Sequence, residues 1–485
     1  MRNKPALLGM VFLLPCFVAA DTRSYDYTYD FWGVPVDTIP AFTVERVIDR
    51  SIMPQGANIS GIDDVCSGGG KIFLIDSAES RLTVVNAQFE FAASVKLLYD
   101  KDNRIALTQA GRQIILTNPQ GVFFHEKTNE LYIADTGAER ILVLDGDKYF
   151  LKRVITRPAN MTGVTKFEPS KIALDKANRI YVVVQSGFEG IIELTEDGSF
   201  SRYFGVNKPV VNLIEYFWKT FSTNEQREKM AKTFAPSFNN IAVDSDGFIY
   251  ATTFDANSQD TVFRLNPKGE NVLIMPVQTT IKKPIGDTDP RITNQFIDIA
   301  INDYGVYAVL DRVTGRIFLN NFYGELMSII NIPPSVKGGL VSPAAVTWFG
   351  DYLIAADKQL SAAYVYALTD FGRAAFGSAR HYYNGEWKKS AEALEETLRL
   401  NSNYDLAYSG IGKYYLMEGD YKQAMYYLKL GQNREYYSKA FNYYRNQWVK
   451  DHFIWIALLF LAGAAALIYT EIVHHKKGGE NGAAA

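Results

Sequence analysis

The stretch from Asn118 to Leu144, NPQGVFFHEKTNELYIADTGAERILVL, decides the fold. Asn118-Pro119-Gln120-Gly121-Val122 enters it and Leu131-Tyr132-Ile133-Ala134-Asp135 reads as a strand. Thr136-Gly137-Ala138-Glu139 then turns, and Arg140-Ile141-Leu142-Val143-Leu144 returns. Working outward, the same strand–turn–strand pair recurs at Lys71–Asp76 with Arg81–Val85 and at Ile180–Gln185 with Gly190–Leu194. It recurs again at Phe248–Phe254 with Thr261–Leu265, at Val306–Asp311 with Arg316–Leu319, and at Tyr352–Asp357 with Ala363–Leu368. The spacing between equivalent strand ends runs from 46 to 69 residues, so the units carry insertions. Six hairpin units, none able to bury both sheet faces alone, are best satisfied by radial stacking into a six-bladed β-propeller over residues 43–369; a sandwich or a solenoid is the competing arrangement. Thr43–Ile48 is placed to close the ring as the last strand of the final blade. Val210–Phe234 has apolar residues at helical spacing and is expected to be a helical insertion.

These residues resemble the NHL-repeat propellers. The match is carried by Asn118-Pro119-Gln120-Gly121 and Ile133-Ala134-Asp135-Thr136-Gly137 with Arg140-Ile141, echoed by Ile75-Asp76-Ser77 with Arg81-Leu82 and by Leu310-Asp311 with Arg316-Ile317. The repeated Asp76, Asp135 and Asp311 end strands, where a carboxylate can accept turn N–H groups, and Arg81, Arg140 and Arg316 five residues later can return to pair with them. A residue repeated from blade to blade is read as architecture before chemistry.

After Leu368 the pattern changes to helix. Gly385 and Gly419 lie 34 residues apart, as do Trp387 and Tyr421, and residues 370–449 resemble a short tetratricopeptide-like segment. Such a segment is either a stalk holding the propeller off a bilayer or a partner-binding groove, with Tyr383, Trp387, Tyr415 and Tyr421 as candidate contacts. Further on, Phe453–Val473 is long and apolar enough to be one transmembrane helix, leaving residues 474–485 as a short cytoplasmic tail. At the other end residues 1–20 read as an export signal, with Arg2 and Lys4, an apolar run and the ending Val18-Ala19-Ala20. Lys and Arg before the span outnumber those after it, which by itself would orient the helix the other way; the export signal is given precedence, placing the propeller outside the cell membrane. Residues 21–42 form an aromatic arm in which alternation places Tyr25, Tyr27, Tyr29 and Phe31 on one face. Tyr25, Tyr27, Tyr29 and Trp32 are candidate contacts for a partner or a carbohydrate, although packing on the chain's own propeller is the plainer reading.

Composition excludes some functions. With 50 basic and 53 acidic residues the chain lacks the positive excess that nucleic acid requires. Only His125 of the five His falls in the propeller, so a multi-His metal centre is excluded. A calcium ion in the central channel could draw on Gln120, Asn239, Asn240 and Asp298, and no other cofactor is expected. No nucleophile elbow, zinc-protease helix or phosphate loop occurs, so no catalytic residue is assigned. The layout resembles bacterial surface proteins in which an NHL-type propeller precedes tetratricopeptide-like helices and one membrane helix. That resemblance implies a non-enzymatic binding or scaffold role beside a sugar-uptake ABC transporter, and the rival is an exported lactonase-like hydrolase or lyase with a channel metal.

Overall fold

The computed structural model describes residues 26–482 apart from 31, 56, 162–165, 186–189, 206–236, 254–259 and 275–292. The export signal, Tyr25, Phe31, Phe254 and the expected helical insertion at 210–234 lie outside the described residues.

Six antiparallel sheets follow one another round a ring. Blade 1 is β4 to β7 (Ile62–Gly68, Lys71–Asp76, Arg81–Val85, Phe91–Val95) and blade 2 is β8 to β11 (Gly121–His125, Glu130–Asp135, Arg140–Asp145, Leu151–Thr156). Blade 3 is β12 to β15 (Pro169–Leu174, Ile180–Val184, Ile191–Leu194, Phe200–Phe204), and blade 4 shows β16 to β18 (Asn240–Val243, Ile249–Thr252, Val262–Leu265). Blade 5 is β19 to β22 (Phe296–Ile301, Tyr307–Asp311, Ile317–Asn320, Leu326–Ile330). Blade 6 joins β23 to β25 (Pro343–Phe349, Tyr352–Asp357, Ala362–Leu368) to β3 (Phe42–Ile48). The first strands β4, β8, β12, β16, β19 and β23 line the axis, each packed on its neighbours, so the ring is closed. The clasp is β3, antiparallel to β25 from Phe42↔Leu368 to Ile48↔Ala363.

The middle strands read as near-continuous apolar runs because both sheet faces are covered. Ile72 to Ile75, Leu131 to Ala134 and Tyr307 to Leu310 are all buried. Alternate residues of each run enter different inter-blade cores: Phe73 and Ile75 face blade 2, whereas Ile72 and Leu74 face blade 6. The long connection between β7 and β8 is a wedge in the gap between blades 1 and 2. In it Ala106 N donates to Leu98 O (2.9 Å), Ile114 N to Ala106 O (2.8 Å) and Leu98 N to Ile114 O (3.1 Å), a closed ring of backbone bonds whose side chains join the core.

The aromatic arm forms a hairpin, β1 (Tyr27–Tyr29) with β2 (Pro35–Asp37), and β1 pairs with β22 at Tyr27↔Ile329, extending blade 5 to six strands.

Six helices follow: α1 (Asp370–Tyr383), α2 (Trp387–Leu400), α3 (Asp405–Glu418), α4 (Tyr421–Leu430), α5 (Arg434–Asp451) and α6 (Phe453–Gly482). Gly385 and Gly419 sit at φ of 75° and 81° in the turns after α1 and α3, the left-handed conformation that explains glycine at both ends of the 34-residue interval. Phe371, Ala375, Phe376, Leu394, Ala407 and Ile411 belong to the same core as blades 5 and 6, so the helices lean on the propeller. Within α6, Phe453–Ile472 has mean hydropathy 2.2 and no buried residue, which makes it one long, apolar, exposed helix of the length a membrane anchor needs.

Candidate functional site: the axial cup

Each first strand brings one residue to an equivalent place on the axis: Asp64, Gly121, Lys171, Asn240, Asp298 and Ala345. In β4, β12, β19 and β23 a bulge immediately precedes this residue, and the extra residue re-aims the side chain inward. Every one of the six is followed by Val or Ile. Gly121 is required by contact: a Cβ there would lie 2.2 Å from Ser170 O of the next blade.

Asp64, Lys171 and Asp298 form the charged floor of a cup of about 810 Å3. Lys171 Nζ is paired with Asp64; Asp64 is buried and the Lys171 side chain is 12% exposed. The second oxygen of Asp64 accepts Val122 N from the next blade at 2.8 Å; Asp298 likewise accepts Val346 N from the next blade at 2.7 Å and its own Ile299 N at 2.7 Å. The two carboxylates therefore staple neighbouring first strands while facing one ammonium. Burial raises Asp298 to about 7, with the Asp64 charge adding to the rise and Lys171 opposing it. Burial also raises Asp64 against the pull of Lys171. For Lys171 burial acts downward, yet the neighbouring carboxylates outweigh it and the ammonium is held above the ordinary lysine range.

The cup opens on the face carrying the short hairpins within blades and the start of α1. Its wall includes Glu126, Asn302, Asp303, Tyr304 and Trp348, and Arg380 of α1 and Asn384 just after that helix reach its mouth. Trp348 Nε1 donates to Ala300 O at 3.3 Å. Arg380 pairs with Asp351 and lies over the Tyr304 ring at 4.7 Å, tying the helix to the rim.

Of the four residues considered for calcium, Asn240 and Asp298 line the cup. Gln120 and Asn239 precede their strands instead: Gln120 meets Gln185, and Asn239 Nδ2 donates to Phe296 O at 2.7 Å. Among the described residues no group of three His, Cys, Asp or Glu is arranged to hold a metal. His125 Nδ1 lies 2.9 Å from Thr128 Oγ1 in a turn, where burial lowers its pKa.

The repeated aspartates bind loop backbone. Asp76 accepts Ser60 N (2.6 Å) and Glu79 N (2.8 Å), Asp135 accepts Thr117 N (2.6 Å), and Asp311 accepts Gln295 N (2.7 Å). The partner expected from the repeat pattern is present in blade 2 alone of the three: Arg140 Nε meets Asp135 at 2.7 Å, whereas Arg81 donates to Ser94 Oγ and Arg316 to Asn331 Oδ1. A five-residue spacing permits the pairing without imposing it.

The candidate aromatic contacts are divided among several places. Tyr27 is buried against Tyr29, while Trp32 is 58% exposed beside Arg434. Tyr383 packs on Phe322 of blade 5 (5.6 Å), and the adjacent Tyr382 on Trp387 (4.7 Å) and Tyr323 (5.4 Å). Tyr415 stacks on Tyr427 and Tyr421 on Tyr443, each at 5.5 Å. The blade-5 hairpin carrying Phe322 and Tyr323 fills the space beside α1 to α3, leaving a cavity of about 60 Å3, and Glu325 pairs with Lys413 of α3 at 2.7 Å.

Comparison with protein-family models and with curated proteins gives no match. Several solved structures match over about two thirds of the chain. Virginiamycin B lyase from Staphylococcus aureus is 12% identical, with a TM-score of 0.41 over 68% of this chain and 100% of its own. A streptogramin B lyase is 13% identical, with a TM-score of 0.40 over 68% and 98%. Hydrazine synthase of Kuenenia stuttgartiensis is 11% identical, with a TM-score of 0.41 over 65% and 99%.

Proposed function

We propose that the chain is a single-pass, membrane-anchored, extracytoplasmic binding or scaffold protein that works without catalysis, holding its propeller beside a protein partner in the membrane. One observation carries this reading: α1 to α3 share a core with blades 5 and 6, and α4 and α5 pack beside them in a smaller cluster, so the helices that lead to the exposed apolar α6 are joined to the propeller through packed side chains. Tethering of this kind raises the effective concentration of a weak site for a neighbour in the same bilayer. Components of a sugar-uptake ABC transporter are the partners to test first.

A channel metal serving hydrolysis or lysis is the competing reading, and the floor of the cup fits it poorly. Both Asp298 oxygens accept backbone N–H groups, the Asp64 oxygens are divided between Val122 N and Lys171, and the Lys171 ammonium already supplies the positive charge. The scaffold reading is tested by crosslinking membranes that carry a tagged full-length chain and identifying what is retained. A transporter or other integral membrane partner is expected, and recovery of the chain alone counts against the proposal.

A further inference from the structure

The side chains on the floor of the cup cap backbone N–H groups in a common way, and Asn240 does so only by half. At Asp298 one carboxylate oxygen accepts the N–H of the following residue, Ile299, and the other accepts Val346 N of the next blade, each at 2.7 Å. Asp64 likewise reaches Val122 N of its next blade at 2.8 Å. Asn240 makes the first of these bonds, its Oδ1 accepting Ile241 N at 2.6 Å. Its other arm is an amide NH2, a donor where the aspartates carry an acceptor. The N–H that the pattern would offer it from blade 5, that of Ile299, already serves Asp298.

The result is a donor without a partner inside the cup. Asn240 is 4% exposed and lines the cup; its Nδ2 has no hydrogen-bond partner among the described residues, yet protein does not seal it off, so its N–H groups face the cup space. A buried amide N–H without an acceptor is costly. Lys171, at the equivalent place in the neighbouring blade 3, lines the same cup and donates to Asp64 alone among the described residues, so the ammonium keeps further N–H groups for an incoming oxygen.

Charge then selects among acceptors. Asp64 pairs with the Lys171 ammonium and the Asp298 charge also acts on it, so the floor has no positive charge to spare for an anion. Exposed Glu126 and Asp303 on the wall add to the repulsion. A cation fares no better at the floor, where Asn240 Nδ2 and the Lys171 ammonium would meet it with N–H groups and the carboxylate oxygens already accept others. The geometry points to the floor of the cup as a binding site for an uncharged small molecule that presents a carbonyl or hydroxyl oxygen to Asn240 Nδ2 and Lys171 Nζ. The cup's volume of about 810 Å3 lies within the range of small-molecule pockets. This site goes beyond the scaffold reading and does not depend on α6 being an anchor.

The test uses the full chain in detergent micelles and three probes of nearly one shape, benzamide, benzoate and benzamidinium, followed by saturation-transfer NMR with the signal of empty micelles subtracted. Benzamide is expected to bind saturably and ahead of the two charged probes. Asn240→Asp keeps the bond to Ile241 N and exchanges the free donor for an acceptor; benzamide binding should fall about fivefold, the worth of one hydrogen bond, and preference should pass to benzamidinium. Glu196→Gln, outside the cup, should leave the order of the probes unchanged. Benzoate binding as well as benzamide, benzamidinium binding best to the unsubstituted chain, or no benzamide signal above that of empty micelles would each overturn the proposal. A folded Asn240→Asp chain that binds benzamide as before would do the same, and the order of the three probes on the unsubstituted chain decides the matter if that variant does not fold.

Discussion

Arg140 Nε and the Asp135 carboxylate lie 2.7 Å apart at the corner of blade 2, with Asp135 fully buried and also accepting the Thr117 N–H at 2.6 Å. The corresponding arginines of blades 1 and 5 bond elsewhere. Removing one partner of a buried pair leaves a charge without compensation, at a cost of about 3–5 kcal/mol. Arg140→Ala is therefore expected to lower stability by about 3 kcal/mol. Arg81→Ala, which loses a hydrogen bond to Ser94, is expected to cost about 1 kcal/mol. Urea denaturation of the two variants checks the difference, and equal losses would return all three arginines to one role.

The floor of the cup predicts a pH dependence. Asp298 is raised from 3.8 to about 7 by burial, so the folded state holds its proton more tightly than the unfolded state does. The stability linked to it is fully present below the unfolded value near 3.8 and is lost as pH rises through about 7. Asp298→Asn cannot ionise and should flatten this slope between about pH 4 and 7 relative to the unsubstituted protein. Denaturant midpoints at several pH values across that window report the outcome, and parallel curves for the two proteins would show that Asp298 does not titrate there.

Much of the ring was legible because its signals are local and repeated. Apolar strands ending in a polar residue, small-residue turns and the run Thr43–Ile48 specified blades and a clasp, and the structure has both. The cup was harder to read, since a bulge moves side chains from one face to the other and leaves no mark in the alternation. Asp63 and Asp64 are adjacent, yet Asp64 enters the cup while Asp63 pairs with Lys358. Sequence reasoning found Asn240 and Asp298 but passed over Asp64, Lys171, Glu126, Asn302 and Asp303. The signal available for the floor was a polar or charged residue immediately before Val or Ile in the first strand of a blade, as in Asp64-Val65, Lys171-Ile172 and Asp298-Ile299. The filling of the helical segment by Phe322 and Tyr323 depends on contacts between distant parts of the chain, and no local period records those.

The shared core makes the helices part of the propeller's stability. Phe376 is 1% exposed and packs on Phe42 of the clasp (5.3 Å) and Trp348 of blade 6 (6.3 Å). Phe376→Ala is expected to cost about 3–5 kcal/mol. It should also loosen the clasp, because β3 then loses a partner on its helix side. Hydrogen exchange should rise at Phe42–Ile48 as well as in α1. Exchange confined to α1 would show that the helices dock without supporting ring closure.

Tyr404 makes a narrower test of the same joint. Its hydroxyl donates to Met327 O at 2.9 Å, and Lys413 pairs with Glu325 at 2.7 Å on the same hairpin of blade 5. Tyr404→Phe removes one buried hydrogen bond and is expected to cost about 1 kcal/mol. Lys413→Met leaves the partly buried Glu325 without its cation and should cost about 3 kcal/mol. The two changes act on one hairpin, so in combination they should depart from additivity by about 0.5 kcal/mol or more. If they add without coupling, hairpin and helices respond as separate units, and the packed joint between propeller and helices, on which the scaffold reading depends, is lost.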